Sequence, residues 1–411
     1  MHRIVLPLLV LLFLLPVQTF AQESKMDLTG TWQVTLNVGT SEAAKGLTFI
    51  VDVSKQKDDY AAFVVNGTER ISIPSFDYVD GKGVQIEIDH FASRLTLYPT
   101  KETGMYSGVW EKRRGKDNMA TVPAEMKKLV NVDYQDPGEF LGRWAVKFAD
   151  SDDLAVGIFK KSADSNGVQG TFLTTTGDYR YLAGGVQDGK LTLTCFDGGH
   201  AFLFEVNKSD EGLKGTFHSG NWYQTTWSAT ADDAIELPDA FGQTEWMDGV
   251  DFAQLQFPDL DGKLVSPLDS KFGGSCKIIE VFGSWCPNCH DAAAYLKELQ
   301  EKYGPEGLSI VGLAFELTGD FEKDAQQVRI FAERNGTKYP VLIAGTADKT
   351  EATKQLQVLD RVRSFPTMIF LDEANNVKAI YTGFSGPATG EAYQKLRQQF
   401  ENIIETELGL R

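Results

Sequence analysis

The spacing of apolar residues changes character once along this chain, near residue 235, and that change limits the fold more than any other feature. Before it, from about Leu28 to Thr230, short alternating runs such as TWQVTLNV, GVQIEIDH, RLTLYP, KLTLTCF and AFLFEV are separated by Gly, Asp and Asn. A period of two punctuated by turn residues predicts many short antiparallel strands. After it, CKIIEVFG reads as a buried strand, and Ala292, Leu296, Leu299 and Tyr303 recur at helical spacing until GPEG breaks the run. LSIVGLAFE, PVLIAG, TMIFLD and VKAIYTG continue as strands, with helices in FEKDAQQVRIFAERNG, in KTEATKQLQVL and from about Thr389 to Leu408. Strands alternating with helices predict a mainly parallel sheet covered on both faces. The chain is therefore expected to be multidomain: an all-β module over 27–232, an acidic linker over 233–249 interrupted by Pro238, and an α/β domain over 250–411.

The β module is internally duplicated. DLTGTWQVTL aligns with EFLGRWAVKF, so that Gly30 and Trp32 match Gly142 and Trp144, an offset of 112 residues. GMYSGVW, ending at Trp110, likewise resembles GLKGTFHSGNW, ending at Trp222. The copies cover about 27–112 and 139–230, with a charged connector between them. Two copies imply two similar units, either separate small barrels or halves of one sandwich. Trp32, Trp110, Trp144 and Trp222 are expected to plug those units as core aromatics rather than to line a ligand cavity. His90 and His200 fall near hairpin turns with no further ligands at metal spacing, so no metal site is expected.

The first residues, MHRIVLPLLVLLFLLPVQTFAQ, place His2 and Arg3 before an apolar run from Ile4 to Val17, followed by Thr19 and Ala21. This reads as a secretory signal peptide over 1–21. The run falls short of the roughly 20 residues of a membrane span. An exported, periplasmic protein is expected, membrane-associated if the segment is retained. A formal net charge of −17 argues against nucleic acid and anionic membrane surfaces as partners.

Four cysteines in 411 residues do not make a disulfide scaffold. Two of them, Cys286 and Cys289, stand three apart in GSWCPNCHDA, where the first buried strand hands over to its helix. There Cys286 meets the unpaired N–H groups and positive dipole end of the helix, which favour the thiolate. Cys289, one turn on and nearer the core, is expected to stay protonated. Cys286 is then the nucleophile in disulfide exchange and Cys289 the resolving thiol. Pro287 fits the first helical position, where its missing N–H costs nothing. Glu280, in the apolar strand KIIEVF, is either a strand-edge carboxylate reaching solvent or a buried acid of raised pKa placed to take the proton of Cys289. Glu316 ends the strand LSIVGLAFE and is a candidate second acid, against a capping or exposed role.

On these residues the segment 250–411 resembles the thioredoxin superfamily, in its exported TlpA/ResA-like branch. Trp285, Cys286 and Cys289 match the family's Trp-Cys-x-x-Cys, Glu280 falls at the family's buried acid, and SFPT falls at its cis proline, here Pro366. FPDLDGKLVSPLD resembles the branch's lead-in hairpin and 320–359 its insertion between central strands. The resemblance implies a groove framed by Trp285, Pro287, Asn288, Phe365 and Pro366, in which the Phe365 backbone pairs with a client strand. It implies client proteins with disulfides or thiols, a membrane-bound electron donor and work as a reductase. No bound cofactor is expected, because the dithiol is the redox group. One departure bears on electron flow: Pro287 precedes Asn288, whereas the branch commonly carries its proline second, and this dipeptide tunes the potential.

Two other readings are weaker, and two more compete. A peroxiredoxin needs Pro and Thr or Ser where this chain has Ile279 and Gly283. Zinc needs two more ligands, and Cys195 and Cys276 stand alone, expected as buried free thiols rather than a bridge. A disulfide isomerase or oxidase, self-associating through the β module, and a binding protein whose β module holds a partner both stay open.

Overall fold

The computed structural model describes residues 27–39, 45–57, 59–79, 83–163, 165–247 and 249–410. The proposed signal peptide lies outside them. No helix among the described residues is long and apolar enough to cross a membrane.

The duplicated module is two barrel-like sheets. In the first, nine strands follow one another as an antiparallel meander, and the ring is drawn together where Gly30–Val38 pairs with Asn118–Lys128, Trp32 facing Lys128. In the second, Gly142–Phe148 pairs with Tyr223–Ala231, and Leu154–Lys161 pairs with Val168–Thr174, closing eight strands. A ninth, Gly177–Asp178, folds back on Val168–Thr174 as a short projecting hairpin. Inward positions alternate with outward ones, as in Gly142–Phe148, where Trp144, Val146 and Phe148 are buried. Trp32 and Trp144 are buried in the same way, each indole N–H donating to the carbonyl four residues earlier, Leu28 at 2.7 Å and Phe140 at 3.1 Å.

Two details of the duplication differ from the sequence reading. The first copy does not stop near 112: Asn118–Lys128, inside the charged connector, is the strand that completes its sheet, with Val122, Ala124 and Met126 buried between the outward Thr121, Pro123, Glu125 and Lys127. Trp222 is not the counterpart of Trp110 either. Tyr106 faces Met126 as Leu213 faces Ala229, so four residues on Trp110 matches Phe217. Trp222 sits in the following turn and packs back on Trp110, with ring centroids 5.9 Å apart. The barrels also share a core, with Phe196 stacked on Phe49 at 4.0 Å and set edge-on to Trp110 at 5.2 Å.

The C-terminal domain has the strand order Val341–Thr346, Leu308–Glu316, Cys276–Phe282, Thr367–Asp372, Val377–Thr382. The first three are parallel, Thr367–Asp372 runs antiparallel to them, and Val377–Thr382 is antiparallel to Thr367–Asp372 in turn. Helices α1 (Pro287–Tyr303), α2 (Phe321–Asn335), α3 (Lys349–Leu356) and α4 (Glu391–Glu407) bury their apolar stripes in this domain. Every residue of Cys276–Phe282 is buried, which is why it reads as a continuous apolar run. The stretch read as linker is only partly free: Phe241 packs edge-on to Tyr381 at 5.0 Å, Thr244 and Thr382 share a 2.8 Å hydrogen bond, and Trp246 bridges to Leu359.

Candidate active site

The central strand ends at Phe282, a short loop follows, and α1 starts at Pro287 with Cys286 as its N-cap residue. The Cys286 N–H donates to Gly283 O at 3.1 Å and the Cys289 N–H to Cys286 O at 3.0 Å, so the turn fixes both cysteines. The Cys286 thiol is held below its usual range, first by a hydrogen bond from Cys289, then by the backbone N–H groups of Cys289 and Asn288, with Arg180 adding its charge. Burial and the negative charge on its neighbour push Cys289 well above its usual range. Cys195 and Cys276 are buried free thiols.

Glu280 is fully buried, between Gly312 on one neighbouring strand and Met368 on the other. Tyr339 Oη donates to its Oε2 at 2.8 Å, while Oε1 has no hydrogen-bond partner among the described residues. Burial outweighs the tyrosine and pushes the carboxyl up to about 8. Glu316 is also buried, but it touches neither sulfur: its carboxylate accepts from Ser284 N at 2.8 Å and Ser284 Oγ at 2.6 Å, tying down the loop before Cys286, and burial raises it to about 7.

The Phe365–Pro366 bond is cis. Cys286 Sγ lies 3.4 Å from Phe365 O, and Trp285 is edge-on to Phe365 at 5.7 Å with its indole N–H on Phe315 O at 2.9 Å. Trp285, Cys286, Pro287, Asn288, Phe365 and Pro366 therefore gather around one point. They do not form an open groove: Pro287, Phe365 and Pro366 are buried, Cys286 is only 8% exposed, and the second barrel lies over them.

Sequence reasoning missed the residues that make this cover. Arg180, in the loop after the Gly177–Asp178 hairpin, pairs with Asp291 of α1, with Glu69 of the first barrel at 2.8 Å and with Asp197 at 3.7 Å. His290, next to Cys289, is set edge-on to Phe91 at 4.7 Å and His90 at 5.3 Å of the first barrel; burial and then His90 push it down to about 3, so it is neutral. Arg180 and Asp291 stand 111 residues apart, and each is an ordinary surface type in its local sequence, so no periodicity marks them. Among the described residues no group of three His, Cys, Asp or Glu side chains is placed to hold a metal.

Comparison with protein families matches residues 247–396 to Redoxin. The chain is 30% identical over 124 residues to the thioredoxin-like protein YneN of Bacillus subtilis (strain 168), across 30% of this chain and 65% of that protein. It is 32% identical over 85 residues to the thiol-disulfide oxidoreductase ResA of Bacillus thuringiensis (strain Al Hakam), across 21% of this chain and 44% of that one. A solved thiol:disulfide interchange protein from Chlorobium tepidum TLS is similar at 20% identity and a TM-score of 0.29, covering 39% of this chain and 99% of its own. The chain thus spans less than two thirds of the length of these curated relatives. The match and the five-stranded sheet fall on the same stretch, and the C-terminal part of this chain is a thioredoxin-like Redoxin domain.

Proposed function

We propose that the protein is an exported thiol:disulfide oxidoreductase that exchanges disulfides with client proteins through Cys286 and Cys289, working as a reductase. The observation that carries this reading is the inequality of the pair: Cys286 is held toward the thiolate at the start of α1, and Cys289 is held as the thiol. The thiolate is the attacking species in exchange. Cys286 attacks one sulfur of a client disulfide; that client S–S bond breaks, a Cys286–client bond forms, and the other client sulfur leaves as a thiolate and takes up a proton. Cys289 gives its proton to Glu280 and attacks the Cys286 sulfur, forming the internal disulfide and releasing the second client sulfur, which is protonated in turn. Two electrons pass from the pair to the client; of the two protons the client thiols take up, one balances the proton Cys289 gives to Glu280 and the other comes from solvent, because Cys286 enters as the thiolate. A membrane-bound donor would restore the dithiol, in keeping with the signal-like N-terminus and the likeness to the TlpA/ResA branch.

The test is to follow exchange with a disulfide-bonded client in two variants. Cys286→Ser is expected to abolish exchange and Cys289→Ser to accumulate the mixed disulfide, seen as an added client mass. Equal exchange activity in both would overturn the roles assigned to Cys286 and Cys289, whereas no exchange by the unaltered chain would return it to a binding protein. The direction is read from the reduction potential of the pair in glutathione buffers: a value near about −270 mV supports a reductase, and one near about −120 mV supports an oxidase or isomerase.

A further inference from the structure

We propose that the segment 174–181 of the second barrel is an internal occupant of the client groove, so that a client disulfide reaches Cys286 only when the two barrels swing away together. This rests on the thiol exchange reading above. Three loops surround Cys286: the Cys-Pro-Asn-Cys turn, the loop 364–366 and the loop 383–386, and the segment engages all three. Ser364 Oγ donates to Thr176 O at 2.8 Å, Asn288 Nδ2 to Asp178 O at 3.4 Å, and the Gly386 N–H to Asp178 Oδ2 at 2.6 Å. Gly383, at φ +82°, leaves room that a Cβ would take 2.7 Å from the Thr176 carbonyl carbon. A client strand adding beside Phe365 needs the space next to Ser364 that this segment occupies.

The cover is latched rather than fused. The apolar core of the redox domain contains no barrel residue, and the barrel cores contain no residue of the redox domain. What joins them is mainly polar, centred on Arg180 between Asp291 and Glu69, with one aromatic contact of His290 on Phe91 and His90, and mainly polar contacts of this kind let packed domains separate. The segment itself does not peel off. Tyr179 is set into the second barrel's interior, 5.1 Å from Phe217, 5.2 Å from Phe202 and 5.5 Å from Phe204. The barrels are tied to each other by their shared core and by the Asn66 side chain, which bonds Phe196 O at 2.9 Å and Phe196 N at 3.2 Å. Opening is thus a rigid-body motion of both barrels, with Arg180 selecting against clients that cannot displace the segment.

The experiment uses the reduced full chain and iodoacetamide, with modification of Cys286 followed by mass spectrometry across pH and expressed per thiolate. Arg180→Met is expected to raise that rate at least tenfold, and Asp178→Ala, which removes the Gly386 contact and the bond to the Arg180 backbone N–H while keeping the Arg180 guanidinium, to raise it in the same direction should the first variant fail to fold. A rate in the unaltered chain as fast as in the variants would overturn the cover. Each sample is also incubated with oxidised dithiothreitol and weighed. A Cys286–Cys289 disulfide that forms in the variants while protection is absent leaves thiol exchange standing and the cover overturned; protection without any disulfide forming in an opened variant does the reverse.

Discussion

Glu280 keeps its proton most of the time at neutral pH, because burial holds its carboxyl at about 8. About one molecule in ten then offers the carboxylate that can take the Cys289 proton at pH 7, and the fraction grows tenfold per pH unit until it levels. Resolution of a trapped mixed disulfide is therefore expected to accelerate as pH rises toward about 8. In Glu280→Gln it should be slower by tenfold or more and lose that rise, the size of effect general acid–base groups supply. Stopped-flow measurement with one client peptide checks this, and identical pH profiles in the two proteins would leave Glu280 a structural residue held by Tyr339. Glu280 was legible because an acid in an apolar run announces itself; its partner Tyr339 was not, since a tyrosine 59 residues away carries no local sign of facing a carboxyl.

The redox elements were readable because each is a contiguous pattern: a wholly buried strand, a proline-started helix and an X-Pro loop. The strand Asn118–Lys128 was hidden because its alternation is short, with only Val122, Ala124 and Met126 buried, and is interrupted by a proline at 123. The loop between the central strand and α1 depends on Glu316 as much as on its own residues. Ser284→Ala deletes the hydroxyl that donates to this buried carboxylate at 2.6 Å while the backbone bond stays. Loss of one donor to a buried charged group costs about 1 to 3 kcal/mol. A lower thermal midpoint with a redox potential shifted from that of the unaltered chain is expected, measured by calorimetry and glutathione titration; an unchanged midpoint would contradict the role of this bond.

At the scale of the molecule, three buried acids share one direction of shift: Glu280 at about 8, Glu316 at about 7 and Glu69 at about 7, each raised first by burial. Their folded forms bind protons that the unfolded chain releases above its ordinary carboxyl range, so their contribution is complete below about 4.5 and is lost as pH rises through 7 to 8. The thermal midpoint should fall by several degrees between pH 5 and pH 8.5, and Glu280→Gln should flatten the slope; a midpoint that rises over that range would count against these burials. The fold class was legible at this scale and the arrangement of the parts was not, because the contacts between the barrels and the C-terminal domain are single polar pairs and one cluster of rings, none with a sequence period. The connection between the two bodies sets how far they can part. Arg143 holds the carbonyl of Ile235 at 2.8 Å and Phe241 is packed on Tyr381, so the five residues from Glu236 to Ala240 are the tether. Five residues reach about 20 Å when fully extended. A segment leashed that closely returns to its site at an effective concentration in the millimolar range. In the proposed exchange, a client present at micromolar levels competes with a resident roughly a thousandfold more concentrated, and must bind the C-terminal domain far more tightly than the barrel does to reach Cys286.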